Sequence, residues 1–244
     1  MRKYGLIICL LTVVLLLCGC NMPTVEDLYQ LPKRSEEFTN LQSVMEKAME
    51  GLEHSAPLNG EHQQSVQMAD LDGDGTVEYL VFAKSNSTER PLRILIFTGN
   101  GEQYQLLDTI ECNGTAFDQV DYVYMDSRGG AEMIVGRQVS DQVVRSASVY
   151  RLVDGHIEQL LTTNYSRILS VDLDDNKRTD LFVLGPSESD GGAVAALYSI
   201  RGNEMVRSQE VSLSGPTENV KRIIPGKLND GLPAVFVASD VGGT

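Results

Sequence analysis

Asp70-Leu71-Asp72-Gly73-Asp74-Gly75-Thr76-Val77-Glu78 runs directly into the apolar tetrad Tyr79-Leu80-Val81-Phe82. Acids stand at positions 1, 3, 5 and 9 of these nine residues, and a glycine stands at position 6. Alternate carboxylates in a tight turn can be aimed at one point, and glycine permits the positive φ that so sharp a turn needs. Calcium takes about six to eight hard oxygens in a flexible cage, and the carbonyl of Thr76 is a natural main-chain donor to it. An EF-hand loop closes with a bidentate Glu at its twelfth position. Here the twelfth residue is Val81, inside the apolar run, so the stretch is a loop opening into a strand.

The strand after the loop returns. Leu80, Ile134, Phe182 and Val235 mark the same place in four short apolar runs, at steps of 54, 48 and 53 residues. A second apolar strand ends in a turn at Gly101, Gly155 and Gly202, at steps of 54 and 47. The two sets of anchors agree to within one residue, which unrelated short strands would not do. Asp154-Gly155 and Gly202-Asn203 are strong hairpin signals. Each repeat therefore reads as acidic loop, strand, strand, glycine turn, strand, and a further strand into the next loop. Four short antiparallel strands per repeat predict the blade of a propeller. The expected fold class is all-β, a β-propeller-like array of four-stranded blades over 65–118, 119–166 and 167–219, with a partial blade over 220–244. That is roughly 3.6 repeats, where a closed ring typically has about 4–8, so the chain reads as a fragment of a longer protein.

The first loop is similar to the D-x-D-x-D-G-x-x-[DE] loop of integrin α-subunit propellers, and the strands around it resemble FG-GAP and VCBS repeats across 65–244. The resemblance implies structural calcium between two strands of a blade, held by Asp70, Asp72, Asp74, the carbonyl of Thr76, and Glu78. In the third repeat Asp172, Asp174, Asn176 and Asp180 fall on positions 1, 3, 5 and 9, with Arg178 at the carbonyl position, which implies a possible second calcium site. Lys177 replaces the glycine there and departs from the family pattern. The second repeat keeps only Asp126 and Glu132, and the fourth little beyond Asn229-Asp230-Gly231. Neither is expected to hold metal, since an Asx-type turn explains them.

At the start of the chain, Arg2 and Lys3 precede an apolar run from Leu6 to Leu17. The run falls short of the ~20 residues that span a bilayer and fits a signal peptide over 1–19. Leu17-Cys18-Gly19-Cys20 resembles the bacterial lipobox, which implies a diacylglycerol thioether on Cys20 and cleavage before it. Two acyl chains hold a protein firmly. The expectation is a lipid anchor at the extracytoplasmic face of the cell membrane, followed by a tether over 20–34. Ser35 then reads as an N-cap with Glu36 and Glu37 in the first turn. Phe38, Leu41, Met45, Ala48, Met49 and Leu52 form one apolar stripe, which predicts an amphipathic helix over 35–53.

The formal charge is −14, and loss of Arg2 and Lys3 with the signal peptide makes it −16. This argues against nucleic acid as a partner, because that binding rests on cationic phosphate contacts. It also argues against polybasic docking to anionic lipid. Cys9 and Cys18 leave with the signal peptide and Cys20 takes the lipid, so Cys112 is alone and no disulfide framework forms. His54, His62 and His156 lack metal-ligand spacing, and no nucleophile elbow, P-loop or dinucleotide fingerprint is present. These observations lead to the expectation of a non-catalytic binding or scaffold module, not an enzyme, with a protein or glycan ligand. Two rival readings are a surface enzyme acting on polysaccharide through blades beyond this chain, and an envelope-assembly scaffold.

Overall fold

The structure is a computed structural model and describes residues 36–101, 103–139, 145–187 and 191–240. The expected signal peptide, Cys20 and the tether lie outside the described residues. The chain divides into two units, Met1–Thr39 and Asn40–Thr244, and the second contains the strands below. Helix α1 (Glu36–Ala48) begins in the first unit and continues into the second.

Three sheets repeat one plan, with antiparallel pairing throughout. The first contains β1 (Glu53–His54), β2 (Val66–Ala69), β3 (Glu78–Lys84), β4 (Leu92–Gly99) and β5 (Tyr104–Cys112), with β1 and β2 sharing one edge of β3. The second runs β6 (Ala116–Val123), β7 (Glu132–Gln138), β8 (Arg145–Val153) and β9 (His156–Tyr165). The third runs β10 (Arg167–Val171), β11 (Asp180–Pro186), β12 (Ala193–Arg201) and β13 (Glu204–Leu213). A two-stranded sheet follows, β14 (Val220–Lys227) with β15 (Pro233–Ser239). The chain is thus an all-β array of blade-like sheets, and no helix among the described residues is long and apolar enough to cross a membrane.

The two central strands of each of these three sheets read as continuous apolar runs because both their faces are covered, by neighbouring sheets or, on the first sheet's outer side, by the stripe of α1. Phe82, Ile94 and Ile96 of the first sheet pack with Phe117, Val120, Met133 and Val135 of the second. Ile134, Ala147 and Val149, from the opposite face of the second sheet, meet Leu181, Val183 and Ala196 of the third. Phe182, Leu184 and Leu197 then face Val220, Ile223, Val235 and Val237. Phe82 and Phe117 cross edge to face with ring centroids 5.1 Å apart, a geometry that the aromatic quadrupole favours. The last strands β5, β9 and β13 alternate or lie largely exposed, since little covers their outer side. Cys112, the free cysteine of the described residues, is buried, with its sulfur 3.5 Å from the Tyr150 hydroxyl.

The backbone repeats as well. The register between third and fourth strands slips at the same place in each sheet: between Ile96 and Phe97, Val149 and Tyr150, and Leu197 and Tyr198. One extra residue in the last strand bends it and increases its twist. The β8–β9 hairpin turns through Asp154 (φ 50°) and Gly155 (φ 79°), the pair of left-handed residues that a two-residue I′ turn requires.

Two expected boundaries move. The helix closes at Ala48, not at 53, with Gly51 at φ 76° in the turn that follows. Glu53 and His54 then pair with Lys84 and Ala83 as β1. Val44, Met45, Ala48, Met49 and Leu52 still pack on Val81, Leu95 and Phe97, so the apolar stripe covers the outer face of the first sheet across the end of the helix. The second sheet begins at Ala116, before the expected 119, because β6 pairs with β7 from that residue onward.

Candidate metal centres

Each of the first three sheets joins its first two long-paired strands through a nine-residue loop: 70–78 between β2 and β3, 124–132 between β6 and β7, and 172–180 between β10 and β11. In every case the last residue is a buried acid, Glu78, Glu132 or Asp180, at the head of a strand. Its carboxylate accepts the amide of the second loop residue: Leu71 to Glu78 Oε2 at 2.9 Å, Met125 to Glu132 Oε2 at 2.8 Å, and Leu173 to Asp180 Oδ2 at 3.2 Å. That bond closes the loop and leaves the second carboxylate oxygen for another task.

In the first loop Asp70 accepts the amides of Gly73 (2.7 Å) and Gly75 (3.0 Å), and Asp72 accepts that of Asp74 (3.1 Å). Gly73 and Gly75 take φ of 80° and 88°. The turn brings one carboxylate oxygen from each of Asp70, Asp72 and Glu78 within 4.8 Å of one another. Asp74 stands apart from that trio and accepts the amide of Thr76 at 2.6 Å. Thr98, which the sequence did not single out, donates its hydroxyl to Glu78 Oε1 at 3.4 Å.

The third loop repeats the arrangement. Asp172 accepts the amides of Asn176 (3.2 Å) and Lys177 (2.8 Å), and Asn176 accepts that of Arg178 at 2.7 Å. Asp172, Asp174 and Asp180 bring carboxylate oxygens within 4.8 Å of one another. Asn176 turns its amide onto Asp174 Oδ2 at 2.8 Å. Asp175 (φ 58°) and Lys177 (φ 67°) hold the left-handed conformations of Gly73 and Gly75. The missing glycine therefore changes the strain of the loop and leaves its path intact.

Three carboxylates so close repel one another unless a cation stands between them. Burial pushes the Glu78 carboxyl above the ordinary glutamate value, opposed by the Leu71 amide and reinforced by Asp72, Asp74 and Asp70. The second loop differs. Burial also raises Glu132, the Met125 amide opposes this, Asp126 reinforces it, and Arg151 opposes it again. Two of the three loops can thus hold a metal ion on oxygen ligands, the donor set that hard cations prefer.

The loops also bond to each other. Ala131 donates its amide to the Asp70 carbonyl at 2.9 Å, and Thr179 donates to the Tyr124 carbonyl at 2.8 Å. In both bonds the eighth residue of one loop grips the first residue of the loop before it.

No family model matches the chain, and no curated protein does. Among solved structures it is similar to a Bacillus licheniformis rhamnogalacturonan lyase at 16% identity and a TM-score of 0.44, covering 75% of this chain and 40% of that one. It is similar to rhamnogalacturonan lyase YesW at 15% identity and a TM-score of 0.43, over 75% of this chain and 43% of that one. It is similar to the exotype rhamnogalacturonan lyase YesX at 15% identity and a TM-score of 0.42, over 76% of this chain and 39% of that one. The chain spans about two-fifths of the length of these structures. Superpositions this loose transfer neither an activity nor a site. They do correct one expectation, that the chain is not an enzyme. The solved chains it is similar to are enzymes by name, and that expectation is withdrawn.

Proposed function

We propose that this chain is a lipid-anchored, extracytoplasmic module of stacked β-blades that binds calcium in its first and third loops. One observation carries the reading. The same loop positions, 1, 3 and 9, bring three carboxylates together twice in one chain. Calcium suits the loops because it accepts many oxygens at flexible geometry and is held by carboxylates that need not be pre-arranged to a fixed polyhedron. The anchor rests on Leu17-Cys18-Gly19-Cys20 and the apolar run before it.

The calcium reading is tested on the chain from residue 20 with Cys20→Ser, which removes the lipid. A ligand that binds only the folded state stabilises it by mass action, by about 2.7 kcal/mol at a hundredfold excess over Kd. Thermal melting should therefore shift upward with calcium and return with chelator. Asp72→Ala together with Asp174→Ala should abolish the shift. An unchanged melting temperature across calcium concentrations would sink the reading. The anchor is tested separately: the full chain made in a bacterium should take up labelled palmitate, and Cys20→Ser should not.

A second reading, an enzyme or enzyme module acting on polysaccharide, is favoured by a cleft of about 860 Å³ beside the third sheet. Thr162, Asn164, Ser187, Tyr198, Arg207 and Glu210 line it, and Arg207 lies 5.7 Å from the centroid of the Tyr198 ring while pairing with Glu210. Hydroxyls, an amide and an arginine in an open cleft suit a sugar chain, and rhamnogalacturonan is the polymer that the names of the similar solved chains give. Titration with rhamnogalacturonan oligosaccharides should give saturable binding that Arg207→Ala weakens. Binding of equal strength in Arg207→Ala would remove the cleft from consideration.

A further inference from the structure

The second loop has the clasp of the other two but lacks the acid at position 1. Positions 1 and 5, Asp70 and Asp74 in the first loop and Asp172 and Asn176 in the third, are Tyr124 and Arg128. Asp126 remains at position 3 and Glu132 at position 9, both within a closed loop. Two guanidinium groups come to Asp126. Arg128 Nε lies 3.1 Å from Asp126 Oδ2, and its Nη2 donates to Asn203 Oδ1 at 2.8 Å. Arg151 is 5% exposed, with Nη1 3.8 Å from Asp126 Oδ2 and Nη2 donating to Glu158 Oε2 at 2.8 Å. Its Nε and Nη1 make no hydrogen bond.

The register identifies what stands where Arg151 does in the other sheets. Tyr79 pairs with Phe97, Met133 with Tyr150 and Leu181 with Tyr198, so the next residue is Thr98, Arg151 or Ser199. The two sheets whose loops gather three carboxylates carry a short hydroxyl there, and Thr98 already touches Glu78. The sheet whose loop lacks the first of those acids carries an arginine that reaches Asp126. Charge and reach change together. A buried guanidinium without carboxylates beside it would be strongly disfavoured, as would the carboxylates without it.

We propose that Arg151, assisted by Arg128, is the built-in cation of the second loop, so that the folded chain takes up two metal ions and its middle blade is locked without one. The number of ions rests on the calcium reading above; the locking by Arg151 does not. Hydrogen exchange on the chain from residue 20 with Cys20→Ser distinguishes them. With chelator, amides in 70–78 and 172–180 should exchange about tenfold faster or more, while those in 124–132 keep their rates. Arg151→Thr, which installs the first sheet's residue, should speed exchange in 124–132 to a similar degree with or without calcium, and Arg151→Lys should restore part of the protection. Should Arg151→Thr fail to fold, the double variant Arg151→Thr/Asp126→Asn, which leaves no carboxylate unpaired at position 3, should refold. Opening of 124–132 together with the other loops on chelation would overturn the proposal, as would unchanged protection in Arg151→Thr. Loops that ignore chelator throughout defeat the calcium reading alone, and the Arg151 variants still decide the guanidinium.

Discussion

Gly73 and Gly75 both take left-handed φ, yet they do so for different reasons. A Cβ at Gly75 would meet nothing within 4 Å, so only backbone strain separates it from alanine. At Gly73 a Cβ would stand 2.6 Å from the Gly130 amide nitrogen, in the neighbouring loop. Gly75→Ala should cost about 1–2 kcal/mol, the penalty of a left-handed L-residue. Gly73→Ala should cost more, because the two loops must also separate. Chemical denaturation of the calcium-loaded variants would measure both, and equal losses would mean that the loops are not in contact. At this scale the sequence is legible where chemistry is local. Asp70, Asp72 and Glu78 are read from nine consecutive residues, as are Asp172, Asp174 and Asp180. Asp74 and Asn176 fit the same pattern and also brace the turn, each accepting an amide two residues on. Thr98 and Arg151 carry no local signal. Strand register delivers them to the loops from the third strand of their sheets.

Among the elements, β3, β7 and β11 announce themselves as short apolar runs after an acid because both their faces are covered. The outer strands are harder to read. β9 and β13 alternate imperfectly, since each slips by one residue against its partner and its faces exchange roles at the slip. A bulge is set by the twist and packing of a whole sheet, which no window of residues displays. The helix shows the reverse. Its stripe correctly pairs it with an apolar face, but the stripe outlasts the helix because Met49 and Leu52 continue the same contacts from the turn. Hydrophobic spacing reports what is buried, and Gly51 at φ 76° is what ends the element. A polar cluster ties these elements together where apolar contact stops. Asp118, fully buried on β6, accepts from Asn59 (2.8 Å) and from the Tyr165 hydroxyl (2.6 Å) and lies 3.3 Å from Arg145 Nε. Its three partners come from the segment before β2, from β9 and from β8, and only their assembled positions make a buried carboxylate tolerable.

Across the second unit, the repeat period foretells a series of sheets and the structure supplies their contacts: each sheet faces the next through its own apolar cluster. The period does not reveal that the acidic loops touch. Yet the Asp70 carbonyl accepts from Ala131 and the Tyr124 carbonyl from Thr179, so three loops from three sheets form one hydrogen-bonded series. This has a consequence for how the chain would respond to its surroundings. An ion that orders the first loop fixes the Asp70 carbonyl, but the second loop bonded to it is already held by Arg151. A middle loop that keeps its own order with or without metal passes no ordering free energy between its neighbours, so the two sites fill independently. Calcium titration of the wild-type chain should accordingly follow two independent sites, and Arg151→Thr, which leaves the middle loop to be ordered by its neighbours, should steepen it. Such a chain would behave as two separate clasps on either side of a fixed hinge-pin, each tightening gradually with the ion over a broad concentration range.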